Sequence, residues 1–255
     1  QRVSLKPVQH FLRDRERSFM QHRLLAIVMG CLLWSLSMQT VWGQTKTVNL
    51  DELDIASKYK TSELRYKVSK AMPNAPVEEL LLKTSVLKKQ VLLTDQLRRN
   101  GKLRFTSTVK CQRDAYLNPV VIQFNKGKEH ATVRLQKGKA LINLMGFDLA
   151  PKDVPSKFMT LMGLYRILPL LPQNQGAIVQ FDAFTSIKDF NPTKPDKPYT
   201  ITCTGKQQIT FNGEKIDCIG FDIDCDTKIQ AWVQDDQLLR VREASGTQTD
   251  LMLDK

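Results

Sequence analysis

Hydrophobic and polar residues alternate along much of this chain. Leu103, Phe105, Ser107 and Val109 fall on one side, and Arg104, Thr106, Thr108 and Lys110 on the other, the period of a half-buried strand. Three more short apolar runs follow at 120–124, 131–135 and 140–144, separated by Asn125-Lys126-Gly127-Lys128 and Lys137-Gly138-Lys139. Such runs with glycine turns predict an antiparallel meander. A second meander begins near Ala177 and runs through "YTITCTGKQQITF", "EKIDCIGFDI", "KIQAWVQ", "QLLRVREA" and "QTDLML". Its turns are Asn212-Gly213, Asp235-Asp236 and Ser245-Gly246. Asn-Gly between alternating strands is a specific hairpin signal, because a type I′ turn needs positive φ at both central residues. The proline-rich stretch 192–198 predicts a loop. Residues 44–73 have no clear period; "SELRYKVSKAM" suits a short strand or a helical turn.

Two stretches carry a helical period instead. Over 76–99, Val77, Leu80, Leu81, Leu87 and Val91 recur at helical spacing, with Val86, Leu92 and Leu93 off the stripe. Pro76, Glu78 and Glu79 suit a helix start, Arg98 and Arg99 its end, and Asn100-Gly101 a cap. Within 153–172, Phe158, Met159, Leu161, Met162, Leu164, Tyr165, Ile167 and Leu168 make a helix apolar on nearly all sides. Asp153 and Pro155 suit its start, and Pro169 and Pro172 its end. Such a helix is buried or lines an apolar site. The fold class expected is α+β: a curved antiparallel sheet, an open half-barrel, packed against two helices.

The segment before the domain changes the setting. "MQHRLLAIVMGCLLWSLSMQTVWGQT", residues 20–45, has a short positive start at His22 and Arg23 and an apolar run from Leu24 to Met38. Small Gly43 and Val41 stand before Gln44. These are the parts of a secretory signal peptide over 20–43, cleaved between Gly43 and Gln44. The apolar run is about 15 residues, short of the roughly 20 a membrane span needs. An uncleaved anchor and a lipoprotein box at Val28-Met29-Gly30-Cys31 are the alternatives. Residues 1–19 are polar and basic with no packing pattern, and read as a non-native upstream extension or the cytoplasmic tail of an anchor. Residues 44–255 then form a single exported domain, placed in the periplasm or cell envelope.

Charge adds little. The chain carries +12, and residues 1–43 hold six basic and two acidic side chains, leaving +8 on 44–255. The cations are spread rather than blocked, which suits a solvated surface, and export leaves no expectation of a nucleic-acid partner. Cys111, Cys203, Cys218 and Cys225 follow the signal. A bridge among Cys203, Cys218 and Cys225 is open. With a two-residue turn at Asn212-Gly213, position 203 faces 222 and 218 faces 207, so no pair is Cys–Cys without a bulge or longer loop.

His130 is the sole histidine after residue 43. H-E-x-x-H, C-x-x-C, G-x-S-x-G, G-x-G-x-x-G and the P-loop pattern are all missing from the sequence. No cofactor or metal is expected. Asp222, Asp224 and Asp226 share a strand face, read as a solvent face paired with Arg240 and Arg242. Trp232 reads as a strand anchor or a ligand platform.

The run Tyr199–Leu253, with its hairpins, "WVQDD" and "LLRV", resembles a group of periplasmic domains of unknown function. With the export signal and the helix–meander order, the chain also resembles the LolA/LppX-like half-barrel proteins of the bacterial envelope. Those shelter acyl chains between an open sheet and helices. The resemblance implies a non-enzymatic envelope protein that binds a lipid or other amphiphile, and no functional residue transfers from it. Phe158, Met159, Leu161, Met162, Tyr165 and Leu168 are the ligand-lining candidates, deformable through their methionines; the alternative is a core helix that plugs the sheet. A structural or protein-interaction domain is the second functional reading. A carboxylate hydrolase using members of Asp217, Asp222, Asp224 and Asp226 is the third.

Overall fold

The computed structural model describes residues 47–70, 76, 78–185, 198–225, 228–243 and 249–254. The predicted signal segment 20–43 and its predicted Gly43/Gln44 junction, residues 1–19, Asp226, most of the predicted 192–198 loop and the predicted Ser245-Gly246 turn lie outside them.

Thr47–Asn49 (β1) and Ser62–Lys70 (β2) come first, with two short 3-10 turns between them. Five long antiparallel strands follow: Glu78–Val86 (β3), Gln90–Arg99 (β4), Lys102–Gln112 (β5), Pro119–Lys126 (β6) and Glu129–Gln136 (β7). Lys139–Leu144 (β8) carries the short edge strands Phe147–Asp148 (β9) and Lys152–Asp153 (β10). Met159–Thr160 (β11) leads into the helix Leu161–Ile167 (α1) and a 3-10 turn at Leu168–Leu170. Then come Ile178–Phe181 (β12), Phe184–Thr185 (β13), Tyr199–Phe211 (β14) and Glu214–Asp224 (β15). Lys228–Gln234 (β16), Gln237–Glu243 (β17) and Thr249–Leu253 (β18) complete the chain.

Sixteen of these strands form one sheet, in the order β1-β12-β14-β15-β16-β17-β18-β2-β3-β4-β5-β6-β7-β8-β10, with β9 beside β8. It is mixed: β1 runs parallel to β12, while the other pairs in it are antiparallel. The pairing of β18 with β2 joins the two meanders. Lys46–Lys255 forms one compact unit around one core.

The expected α+β class is corrected by this architecture. Strands make up 65% and helical residues 9%, so the protein is mostly β, and among the described residues a single α-helix is present rather than two. It is not a half-barrel packed against two helices. The predicted helix at 76–99 is the β3–β4 hairpin, turning at Leu87-Lys88-Lys89. Leu82 and Thr84 are buried on β3, and Val91, Leu93 and Asp95 on β4, which is a period of two. The charged ends explain the misreading. Glu78 and Glu79 face Arg99 and Arg98 across the hairpin, and Arg99 Nε donates to Glu78 Oε1 at 2.8 Å. Acids at one end and arginines at the other complement a helix dipole and a strand pair equally well. Asn100-Gly101 has φ of 50° and 75°, the positive pair of a type I′ turn, so it closes the next hairpin rather than capping a helix.

The second helix exists but is shorter than the sequence suggests. Thr160 caps α1 by accepting a hydrogen bond from the Gly163 amide at 3.0 Å. Phe158 and Met159 precede it in extended chain, where β11 pairs with β13 in parallel. Pro169 has no N–H to continue the helical ladder, and the segment tightens there into the 3-10 turn. Among the described residues no helix is long and apolar enough to cross a membrane.

The Asn212-Gly213 hairpin holds the register expected near its turn, with Gln207 opposite Cys218. Farther out, a bulge between Cys203 and Gly205 shifts it by one, so Cys203 faces Phe221 rather than Asp222. The bulge sets no two cysteines opposite each other in this hairpin, and Cys111, Cys203 and Cys218 are free thiols. Gly205 has φ of +86°, and a Cβ there would meet the Gln175 side chain at 2.9 Å. Gly205→Ala is therefore expected to lower stability by about 1–3 kcal/mol, read as an earlier urea midpoint with an unchanged slope.

Candidate functional site

The helical segment 161–170 lies against the core face of the sheet, with α1 on β4 and the following turn on β16 and β17. Tyr165 and Arg166 are consecutive, yet they reach strands four places apart: the Tyr165 hydroxyl donates to Glu243 at the end of β17, and Arg166 to Asp95 on β4. Four strand spacings in a flat sheet are about 19 Å. The Tyr66 hydroxyl of β2 also donates to the Leu238 carbonyl of β17 at 2.7 Å, across the intervening β18. These bonds require the sheet to bend toward the helix.

Arg166 and Asp95 form the polar centre of the packing. Arg166 Nη2 donates to Asp95 Oδ1 at 2.5 Å and to the Lys83 carbonyl at 3.4 Å, and Nη1 donates to the Met162 carbonyl at 3.1 Å. Their side chains are 6% and 11% exposed, and Arg166 Nε is buried with no partner. Burial raises the Asp95 carboxyl above its ordinary range, and the guanidinium works against that rise.

Beside this pair opens a cleft of about 320 Å³. Its walls include Leu64 and Tyr66 of β2, Leu82 of β3, Leu238 of β17, and Tyr165 and Leu170 of the helical segment. Its rim carries Lys58, Lys60, Asp235 and Asp236. Asp235 and Asp236 occupy the β16–β17 turn predicted from the sequence, with φ of 49° and 59°. The tyrosines around the cleft are held protonated. Burial pushes up the Tyr59 hydroxyl, with Asp114 adding to the rise; burial does the same for Tyr66, and burial followed by Glu243 for Tyr165. They are hydrogen-bond donors rather than bases at neutral pH. A second depression, about 380 Å³, sits at the ends of β2 and β18 around Glu63, Arg65 and Asp254. It is more open to solvent, and the cleft is the better-formed site.

The six ligand-lining candidates separate. Phe158, Met159, Met162 and Leu168 are core residues, 0–3% exposed. Leu161 is partly buried against that core. Tyr165 alone of the six lines the cleft. Tyr66, Leu82, Arg166, Leu170 and the Asp235-Asp236 turn were not among the candidates. Arg166 had one signal, a cation inside an otherwise apolar helix; the others had none, since they meet only through strand pairing.

The remaining candidates lie elsewhere. Asp217, Asp222 and Asp224 are exposed on open strand face rather than in a cleft. Asp222 accepts from Gln230 at 3.2 Å and Asp224 faces Lys228, whereas Arg240 and Arg242 of β17 hold Asp250. The expected Asp–Arg pairing fails because β16 stands between β15 and β17. Trp232 donates to Gln207 Oε1 at 3.0 Å, with Arg240 and Arg242 within 5.8 Å of its ring, and so ties three strands together. His130 is exposed on β7. Among the described residues no three His, Cys, Asp or Glu side chains come together to hold a metal ion.

No family model, curated protein or solved structure matches this chain.

Proposed function

We propose that this chain is an exported, non-enzymatic envelope protein that binds one lipid or other amphiphile in the cleft beside the helical segment. The observation that carries the reading is the cleft itself: apolar walls from Leu64, Leu82, Leu170 and Leu238, and a charged rim at Lys58, Lys60, Asp235 and Asp236. An apolar tail buried there loses water at about 25 cal/mol per Å², while the rim meets a polar head. The volume is at the small end for ligand sites, which suits a single chain rather than a diacyl lipid.

The second reading, a structural or interaction domain with a filled core, is favoured by the full burial of Phe158, Met159, Met162 and Leu168. One preparation separates the two. Protein from the native host's envelope, studied by native mass spectrometry, is expected to carry extractable amphiphile. Leu170→Trp, which fills the cleft from a partly exposed position, is expected to abolish loading and reduce affinity for a long-chain fatty acid at least about tenfold, with thermal stability unchanged. Lipid-free wild-type protein with no affinity for fatty acid or lysophospholipid would leave the structural reading.

A further inference from the structure

Much of the exposed apolar surface of the described residues gathers at one corner of the sheet, far along it from the cleft. Leu144, Met145, Phe147 and Leu149 are 44%, 50%, 75% and 45% exposed. Leu144 pairs with Phe147 across the β8–β9 turn and with Ala131 on β7, and the same row continues to Phe124 on β6. Phe124 packs on Phe105 of β5 with ring centroids 4.5 Å apart. This row lies on the face that buries Ile122, Val133 and Ala140 farther down the same strands. The core face thus runs on past the end of the core and stays apolar, and the described residues leave it exposed.

Cations stand at the same end. Strands β4 to β8 alternate in direction, so the turns at 100–101, 127–128 and 145–146 share one end of the sheet. Lys102, Arg104 and Lys128 flank these turns and are exposed. Among the described residues none of the three has a carboxylate partner. Of the nearby acids, Glu129 pairs with Lys126, while Asp148 accepts from the neutral Asn143 amide and keeps its charge, one carboxylate against the three cations. The sheet edge beside this corner is closed by β9 and β10, two residues each, a poor template for strand addition from a second copy.

We propose that this corner docks on an anionic lipid bilayer, with Met145, Phe147 and Leu149 seated at the interface and Lys102, Arg104 and Lys128 against the head groups. An apolar tip with exposed cations at the same end of the sheet has both signals that a reversible membrane contact uses. The proposal rests on different residues from the cleft, so either reading can fail without the other.

The test uses residues 46–255, which hold every described strand and the whole core. Co-sedimentation is measured with phosphatidylcholine vesicles, with and without phosphatidylglycerol. Binding is expected on the anionic vesicles, weaker on the neutral ones, and reduced by added salt. Phe147→Glu is expected to lower binding at least about tenfold and Lys128→Gln about fivefold, with the circular dichroism of both unchanged. Absent binding, equal binding to neutral vesicles, or a Phe147→Glu variant that binds as wild type would overturn the proposal. So would a wild-type dimer on size exclusion that Phe147→Glu makes monomeric, because the corner would then belong to a second copy.

Discussion

Arg166→Met is expected to lower the free energy of unfolding by about 3–5 kcal/mol at neutral pH. The substitution keeps most of the side-chain volume but leaves the Asp95 carboxylate buried with no counter-charge. Burial already raises Asp95 above its ordinary value, and Arg166 opposes the rise, so losing the guanidinium raises it further. A carboxyl raised in the folded state favours folding while it holds its proton. Below the unfolded value of about 4 both states are protonated and nothing is lost. As the pH rises through the folded value, a buried charge must form and stability falls. The variant's deficit is therefore expected to shrink as the pH is lowered from about 7 toward about 4, in urea titrations at each pH. The wild type shares the direction with a smaller amplitude. Arg166→Met combined with Asp95→Leu is expected to recover most of the loss. A deficit that stays constant with pH would assign the cost to lost packing of the arginine stem instead.

Leu164→Ala is expected to cost about 2–5 kcal/mol, and Leu170→Ala about 1 kcal/mol or less. Both are leucines of one helical segment, so their difference measures position. Leu164 is 0% exposed, and deleting its side chain leaves a cavity between α1 and the sheet. Leu170 is partly exposed on the cleft wall and can lose its side chain to solvent. The readouts are expected to invert on ligand. Leu170→Ala alters amphiphile affinity with little change in melting, whereas Leu164→Ala lowers the melting temperature by several degrees. Equal stability losses from the two would mean that the cleft is closed in solution.

The contrast with the sequence-based expectation is sharpest at 76–99. Val77, Leu80, Leu81, Leu87 and Val91 match a helix, while Leu82, Val91 and Leu93 match two strands around a turn. Both periods are present, and residues in the segment itself do not choose between them. Pairing with β2 on one side and β5 on the other does. The helical candidates divide between core and cleft for a related reason. An all-round apolar helix shows that many side chains are covered, not which of them border open space, so five of six candidates belong to the packing and only Tyr165 reaches the cleft.

Local chemistry was enough wherever a feature depended on a few adjacent residues. Asn212-Gly213, Asp235-Asp236 and Lys137-Gly138 turn where the sequence placed them, because positive φ is a property of the turn residues themselves. The alternation of β5 to β8 and of β14 to β17 was legible for the same reason: a strand's two faces are written at period two within its own length. Everything that needed distant partners was decided by the folded chain. The bulge at Cys203–Gly205 moved a register no turn could report, and β16 separated the aspartates from the arginines. The sheet itself is joined by strands whose residues Ser69 and Asp250 stand 181 positions apart. The cleft draws on residues 58–66, 82–84, 165–170 and 235–238. No local period encodes such a site, because its walls exist only once non-local backbone pairing has brought those stretches together.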